Sequence, residues 1–281
     1  MENQNFRIND LIEIFNDYFY NRIIKCIKCD SVCRWKSKNK LLVYCTQKLC
    51  GKVQTIKTGS FLKNKKLSLN ITLSIIYYWS IGLTNKQITK IVNVSKKSVS
   101  KLLKDIGKRL VQNYYNSIGS LGGSGMIVEI DESKFGKNKY NRGHPVKGVW
   151  VFGVVERSQR RKILLIPIIK RDSDSILSIL KKYVLKDTII YSDSWKGYSK
   201  LKDYFYLHLM VNHKNHFVDP FTRVHTNTIE GNWSSIKVSV PKRKRTLQDI
   251  EIYLVKYMIE RNESGSVFKN IIKFLLIYLF I

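Results

Sequence analysis

Acidic residues are scarce in this sequence. Its 281 residues include 21 Asp and Glu against 50 Lys and Arg, which gives a formal net charge of +29. Such an excess points to a polyphosphate partner and favours nucleic acid over an anionic membrane surface. The codon bias of an AT-rich genome would explain the choice of lysine but not the scarcity of acids. The hydrophobic fraction of 44% is ordinary, so we expect a buried core rather than disorder.

The sequence also lacks an apolar run long enough to cross a membrane. Its C-terminal stretch Phe274–Ile281 has eight uninterrupted apolar residues, whereas a spanning helix needs about 20. Met1–Tyr20 mixes charged and apolar residues throughout, unlike a cleaved secretory signal. We therefore expect an intracellular protein with a buried terminal helix or strand.

Cysteine is absent after Cys50, a distribution that argues against a disulfide framework. Cys26 and Cys29 form one close pair, Cys45 and Cys50 form another, and fifteen residues separate the pairs. This is the arrangement of a zinc ribbon, in which four thiolates at two tight turns hold one Zn²⁺. Cys33 could replace Cys29, but the tighter pair is the commoner geometry and favours packing of Cys33 in the core. The alternative is five reduced core thiols without a metal.

Changes in composition divide the sequence into four parts. We expect the zinc ribbon in residues 1–62 and a helical module in residues 63–118, where apolar residues recur every three or four positions. Four glycines in seven residues predict a linker over 119–125. Short β-branched and aromatic runs then predict a second domain over 126–281, with a basic C-terminal extension.

The elements predicted in the second domain are typical of an α/β fold. Three strands precede a helix over 173–185, and a fourth strand reaches Ser192. A short helix, a weak strand and a longer helix follow, near 195–201, 204–211 and 227–238. This order predicts a mixed sheet flanked by helices.

Leu83–Leu103 predicts two helices joined by a tight turn at Asn93 and Val94, with Ser95 capping the second helix. This pattern is typical of a helix-turn-helix, whose second helix enters the major groove of DNA. The donors to phosphates and base edges would be Lys96, Lys97, Ser98, Ser100 and Lys101. A plain helical hairpin with a solvated lysine face is the alternative.

Two aspartates follow apolar strands, Asp131 after Met126–Ile130 and Asp193 after Thr188–Ser192. Strand-end carboxylates can converge when their strands are neighbours. Along the first strand, Glu129 shares the face of Asp131 and is a possible extra acid, whereas Glu132 points away. Carboxylate oxygens suit a pair of Mg²⁺ or Mn²⁺ ions, which can stabilise both oxygens in phosphodiester displacement.

The third acid predicted for this site is Glu230, within His225–Lys237. In a helix, Lys237 would lie on the face of Glu230 about two turns along, placed to bind a phosphate. Asn227, three residues before Glu230, shares that face and could be an auxiliary oxygen ligand. For any single acid the alternative is a surface or helix-capping carboxylate.

A basic run follows Lys237 and consists of Lys242, Arg243, Lys244 and Arg245. It could contact the DNA backbone or, in a nucleated cell, act as an import signal. A merely solvated basic patch is the other interpretation.

Taken together, these motifs resemble those of transposases of the ISXO-like insertion sequences and of the related eukaryotic Merlin elements. The matching stretches occur in family order, at Val128–Gly136, Val151–Arg157, Tyr191–Tyr198, Val211–His213, Phe217–Pro220 and His225–Trp233 with Lys237. Upstream, the family has a zinc ribbon ending in a turn like Thr58–Ser60, followed by a helical DNA-binding segment.

The resemblance implies a ribonuclease-H-like catalytic fold that uses Asp131, Asp193 and Glu230, with Lys237 as the following basic residue. Such enzymes free a 3′-hydroxyl at an element's end and use it to attack target DNA. Double-stranded DNA, as terminal inverted repeats and as target, would be the partner of a homo-oligomer, in the nucleus of a eukaryote or the cytoplasm of a prokaryote. Some relatives carry asparagine as the third residue, which keeps Asn227 open.

Two points stay open at the level of sequence. The histidines His213, His216 and His225 match the family pattern without an assigned chemistry. A catalytically silent, transposase-derived regulator that retains the ribbon and the helix-turn-helix is the alternative function, although the intact acids favour an enzyme.

Overall fold

The computed structural model describes two compact units. One combines the chain up to Asn116 with the residues from Gly265 onwards, and the other spans Ser117–Ser264. The residues described are 23–37, 41–57, 62, 67–136 and 148–276. The predicted turn at Thr58–Ser60 lies outside this part of the chain.

The first unit begins with a four-stranded antiparallel sheet. Its strands lie in chain order: β1 (Ile24–Lys25), β2 (Val32–Ser37), β3 (Leu42–Cys45) and β4 (Val53–Thr55). Backbone bonds close two turns in this sheet, from Asp30 N to Cys26 O and from Cys50 N to Gln47 O, both at 2.9 Å. The first turn carries Cys26 and Cys29, and the second follows Cys45 at the end of β3 and ends at Cys50.

Three helices follow in the first unit: α1 (Leu69–Ser80), α2 (Asn85–Val92) and α3 (Lys96–Ser117). A capping box between Thr84 and Gln87 starts α2, which ends at Asn93 in the left-handed region, with φ of 51°. At the start of α3, the Ser95 hydroxyl accepts the backbone N–H of Ser98 at 3.1 Å. Three residues therefore separate α2 from α3. That these two helices form a DNA-binding helix-turn-helix stays a prediction.

The second unit is built on a five-stranded mixed sheet of order β7-β6-β5-β8-β9. Its strands are β5 (Ile127–Phe135), β6 (Val149–Glu156), β7 (Ile163–Ile168), β8 (Ile189–Asp193) and β9 (Leu207–Val211). The first three are antiparallel neighbours, whereas β8 lies parallel to both β5 and β9. The predicted α/β fold with a mixed sheet is confirmed.

Strand β5 is longer than the sequence predicts. Asp131 was expected just after the strand, but β5 continues through it because β5 pairs with β6 as far as Phe135. Asp193 is the last residue of β8, as expected. The prediction of a strand end is therefore wrong for Asp131, whose position depends on a pairing that local hydrophobicity does not reveal.

Three helices flank this sheet: α4 (Ser173–Tyr183), α5 (Asn227–Ser239) and α6 (Ile250–Asn262). Helix α5 packs on β5 and β6, and α6 packs on β7. A Cβ at Gly153 of β6 would lie 2.7 Å from the Trp233 ring. Glycine at this position therefore lets α5 lie close enough to the sheet to place its side chains beside β5.

The glycine-rich segment 119–125, predicted as a linker, lies within the second unit, which begins at Ser117. Leu121 is buried and forms a β-bridge with Val184. Gly122 has φ of +77°, and a Cβ there would lie 2.2 Å from Thr188 Oγ1. The glycine serves a left-handed, close-packed backbone, a role that composition alone does not reveal.

The C-terminal helix α7 (Val267–Leu276) belongs to the first unit. The Phe268 ring lies against Tyr77 of α1, and the Phe274 ring lies against Tyr114 of α3, with centroids 5.7 and 5.0 Å apart. Assignment of 265–276 to the second domain is thus corrected, because α7 buries its apolar face among these helices. Within the described chain, no helix combines the length and hydrophobicity needed to span a membrane.

Candidate active site

Asp131 and Asp193 lie level with each other on adjacent parallel strands. The register of β5 and β8 pairs Glu129 with Tyr191, and the same offset two residues later aligns Asp131 with Asp193. Side chains alternate along a strand, so both aspartates lie on the sheet face of Glu129. The sheet thus brings together the first two predicted acids.

Asp131 is half-buried beside helix α5. The Trp233 indole N–H donates to Asp131 Oδ2 at 2.7 Å. Burial raises the pKa of Asp131 to about 6, the charges of Asp193 and Glu230 add to the rise, and the Trp233 hydrogen bond opposes it. Asp193 and Glu230 therefore lie near enough to Asp131 for their charges to disfavour its ionised form.

Asp193 is oriented by the backbone that follows it. The N–H of Trp195 donates to Asp193 Oδ1 at 2.9 Å. The Trp195 ring lies 4.0 Å from the Arg171 guanidinium, and a Cβ at Gly197 would lie only 2.2 Å from that ring. Gly197 therefore leaves the space in which the Trp195 side chain sits.

Glu230 is held by its own helix and by the preceding loop. The Thr226 hydroxyl donates to Glu230 Oε1 at 2.5 Å, and His213 Nε2 lies 3.1 Å from the same oxygen. His213 Nε2 also lies 2.9 Å from Thr226 Oγ1. Asn227, the rival third residue, is exposed at the first position of α5.

Glu129 forms an anchor rather than an open extra acid. It is fully buried, and Arg157 Nε lies 2.5 Å from its Oε1. Its Oε2 accepts the backbone N–H of Ile229 at 2.9 Å, which fixes the first turn of α5 to β5. Arg157 also donates to the His225 carbonyl at 3.0 Å. Glu129 and Arg157 thereby position the helix that carries Glu230.

Glu132 lies on the opposite face from Asp131. It accepts the Tyr198 hydroxyl at 2.8 Å and the Arg171 guanidinium at 3.0 Å. Burial raises the pKa of Glu132, and Tyr198 and Arg171 oppose that rise. Three acids on one strand therefore have different surroundings, and only Asp131 faces other carboxylates.

Lys237 lies within electrostatic reach of the carboxylates. Burial and the charge of Arg245 lower the pKa of Lys237, whereas Asp131 raises it. Arg245 donates to the carbonyl oxygens of Lys237 and Val240, so it caps the end of α5. Within the predicted basic run, Lys244 pairs with Asp249 at 3.3 Å, and Lys242 and Arg243 are exposed.

The four predicted zinc ligands come together in the first unit. The ligand atoms of Cys26, Cys29, Cys45 and Cys50 lie within 4.8 Å of one another. Backbone N–H groups of Lys28 and Gln47 donate to Cys26 Sγ and Cys45 Sγ, both at 3.4 Å. Cys33 is buried outside this cluster, and burial raises its pKa. Four sulfurs at two turns fit a tetrahedral zinc ion.

The carboxylates are less tightly gathered than the cysteines. In the described part of the chain, the cysteine set is the only group of three or more potential ligands that meets this spacing. Mg²⁺ is commonly bound by one or two carboxylates with water and substrate phosphate completing the shell. An open set of carboxylates fits that coordination, and it would not suit a closed all-protein site.

The predicted DNA-contact residues of α3 differ in their surroundings. Lys96, Lys97 and Lys101 are exposed. The Ser98 hydroxyl lies 2.9 Å from that of Ser95, and the Ser100 hydroxyl accepts the Asn85 amide at 3.1 Å. The lysines therefore offer the exposed cationic surface, whereas both serines have partners within the helix pair.

Sequence reasoning missed the side chains that orient these acids. Trp233 lies three residues after Glu230, and helix periodicity could have indicated that it shares a face with Glu230. Arg157, Thr226 and Trp195 hold Glu129, Glu230 and Asp193. All three lie in the stretches that resemble the family, but no local pattern gives their partners.

The comparison with protein families agrees with the predicted family. The ISXO2-like transposase domain matches residues 121–261, which include the whole mixed sheet. The Mos1 strand transfer complex is 12% identical, with a TM-score of 0.28 and coverage of 76% of each chain. A pre-cleavage Mos1 transpososome is 11% identical, with a TM-score of 0.19, covering 68% of this chain and 75% of that chain. Curated proteins give no match. On the family match, which covers half of its length, this chain belongs to the ISXO2-like transposases.

Proposed function

We propose that the chain is a DNA transposase that cleaves the ends of a mobile element and joins the freed 3′-hydroxyl to target DNA. The observation that carries the proposal is the level placement of Asp131 and Asp193, with Glu230 close enough to affect the pKa of Asp131. Its substrate would be double-stranded DNA with terminal inverted repeats, bound by a homo-oligomer. Membership of the transposase family supports this activity.

Asp131, Asp193 and Glu230 are assigned as the residues that hold two Mg²⁺ or Mn²⁺ ions. When bound, such a pair supplies charge stabilisation to the attacking and leaving oxygens of a phosphodiester. Burial, with a smaller contribution from Asp193 and Glu230, raises the pKa of Asp131, so a divalent cation beside these acids would stabilise its charged form. Glu230 is preferred to Asn227 because it is a carboxylate that affects Asp131 electrostatically.

The remaining predicted residues have supporting roles in this proposal. Lys237, near Asp131, would bind a DNA phosphate beside the acids. The cysteine cluster would hold a structural zinc ion. The exposed lysines of α3 would bind the terminal repeats, and Lys242 and Arg243 would contact the backbone.

The proposal is tested with DNA that carries inverted repeats identified in the genome on either side of the gene. Wild type, Asp193→Asn and the exposed-site control Asp187→Asn are compared for binding and for cleavage with Mg²⁺ or Mn²⁺. Asp193→Asn should bind normally but cleave at least about 100-fold more slowly, because it loses charge at the reacting phosphate. Asp187→Asn should match wild type.

Two results would contradict the proposal. Equal cleavage by wild type and Asp193→Asn would remove the assigned site. Specific binding by wild type without any cleavage would favour the transposase-derived regulator instead.

A further inference from the structure

Two exposed phenylalanines lie in the loop that joins β9 to α5. We call residues 212–223 the aromatic loop. Phe217 is 75% exposed and Phe221 is 93% exposed. Lys214, His216 and Arg223 are exposed around them. The loop therefore presents aromatic rings together with potential cations.

Backbone and side-chain bonds fix the second ring in this exposed position. Asp219 Oδ1 accepts the backbone N–H groups of Phe221 and Thr222, at 3.1 and 2.7 Å. The backbone N–H of Asp219 donates to Val224 O at 2.9 Å, and Val224 is fully buried. Hydrogen bonds from Thr222 lower the pKa of Asp219, so the one acid of the loop stays ionised within its turn. Phe221 is thus held outwards by an ordered turn.

The aromatic loop runs from β9, the strand beside Asp193, towards α5, the helix that carries Glu230. It leaves β9 at Val211, which pairs with Asp193 in the β8–β9 ladder. Its His213 lies 3.1 Å from the Glu230 carboxylate and packs on Phe217, with ring centroids 6.3 Å apart. Phe217 is therefore separated from Glu230 by a single side chain.

We propose that Phe217 and Phe221 stack on unpaired bases of the DNA strand whose phosphate lies at the carboxylates. This inference rests on the proposed function. An aromatic ring can stack on any base, but the faces of a base become available only when it leaves the duplex stack. Lys214 and Arg223 would bind the backbone of the same strand. A loop of exposed rings and cations suits bases joined by phosphates better than it suits an apolar protein surface.

The test measures binding of the full chain, without added Mg²⁺ or Mn²⁺, to oligothymidylate of about 12 nucleotides and to a blunt duplex of the same length. The variants are Phe217→Ala/Phe221→Ala, Phe217→Tyr/Phe221→Tyr and, as an exposed apolar control, Ile169→Ala. The double alanine variant should bind the single strand at least about tenfold more weakly, with the duplex nearly unaffected. Tyrosine, which keeps both rings, should restore binding, and Ile169→Ala should match wild type.

Equal loss of single-strand and duplex binding would overturn the inference, as would no loss at all. Sedimentation of each variant provides a further test: a shift from oligomer to monomer on removing the rings would assign them to a second copy of the chain. Because no Mg²⁺ or Mn²⁺ is added, this binding assay is independent of cleavage. Ring-dependent binding without DNA cleavage would defeat only the proposed function, and cleavage with ring-independent binding would defeat only this inference.

Discussion

The four cysteines and the three carboxylates, Asp131, Asp193 and Glu230, differ in how the fold arranges their side-chain atoms. The four cysteines bring their ligand atoms within 4.8 Å of one another. Asp131, Asp193 and Glu230 instead each turn an oxygen towards a donor of the protein: the Trp233 indole, the Trp195 backbone and the Thr226 hydroxyl. A closed structural site can be completed by the metal alone, whereas an open site leaves room for water and substrate.

The difference also concerns the energy of the metal-free fold. Burial and neighbouring acids raise the pKa of Asp131, so its charged form is disfavoured in the folded state. Glu129, two residues earlier, is more deeply buried but has Arg157 as a partner. The fold thus neutralises Glu129 with a cation, whereas it leaves Asp131 with other acids among its neighbours.

The largest effect is expected at the cysteine cluster. Cys26→Ser should abolish binding of about one zinc per chain and unfold the N-terminal sheet, because a structural zinc ion contributes roughly 10 kcal/mol or more to folding. Metal content and thermal unfolding check this expectation. Cys33→Ser is the matched control and should keep its zinc, since Cys33 lies outside the cluster. Zinc retained by Cys26→Ser would remove the distinction between the two sites.

The next largest effect is expected at Glu129, the buried acid of the second unit that pairs with Arg157. Glu129→Gln should destabilise this unit by about 3–5 kcal/mol, because it leaves the partly buried Arg157 without its anionic partner. Denaturant unfolding measures the loss, and Asp187→Asn, at an exposed site, should have no effect. A Glu129→Gln variant that is as stable as wild type and keeps α5 packed on the sheet would contradict the anchoring role of Glu129.

Asp131→Asn should change the stability of the second unit in the opposite direction. Without added Mg²⁺ or Mn²⁺ at neutral pH it should stabilise the second unit by up to about 3 kcal/mol, because it removes a carboxylate with a raised pKa, while cleavage is lost. The native state binds the Asp131 proton more tightly, so wild-type stability should decrease as pH rises from about 4 to about 6. Denaturant unfolding at several pH values checks both points. If the stability of Asp131→Asn depended on pH in the same way as that of wild type, the raised pKa assigned to Asp131 would be contradicted.

The contrast between the sites also explains what the sequence could predict. Cys26 and Cys29 are close in sequence, and the run before Asp193 predicts a strand, so both signals are local. The bond between Trp233 and Asp131 joins residues 102 positions apart. The length of β5 beyond Asp131 is set by its pairing with β6. Such contacts depend on which strands become neighbours, and a single sequence does not encode that choice in any local pattern.

The smallest effect is expected from a substitution near Asp193, among the three carboxylates. Gly197→Ala would place a methyl group 2.2 Å from the Trp195 ring, so the ring must move. Overpacking should cost about 1–3 kcal/mol, and displacement of Trp195 should weaken the bond from its backbone N–H to Asp193. We expect cleavage to fall more than thermal stability does, whereas zinc content should stay unchanged. Gly231→Ala is the matched control, since a Cβ at that helical position meets nothing within 4 Å. If both glycine variants cleave equally well, the Trp195 ring has no part in positioning Asp193.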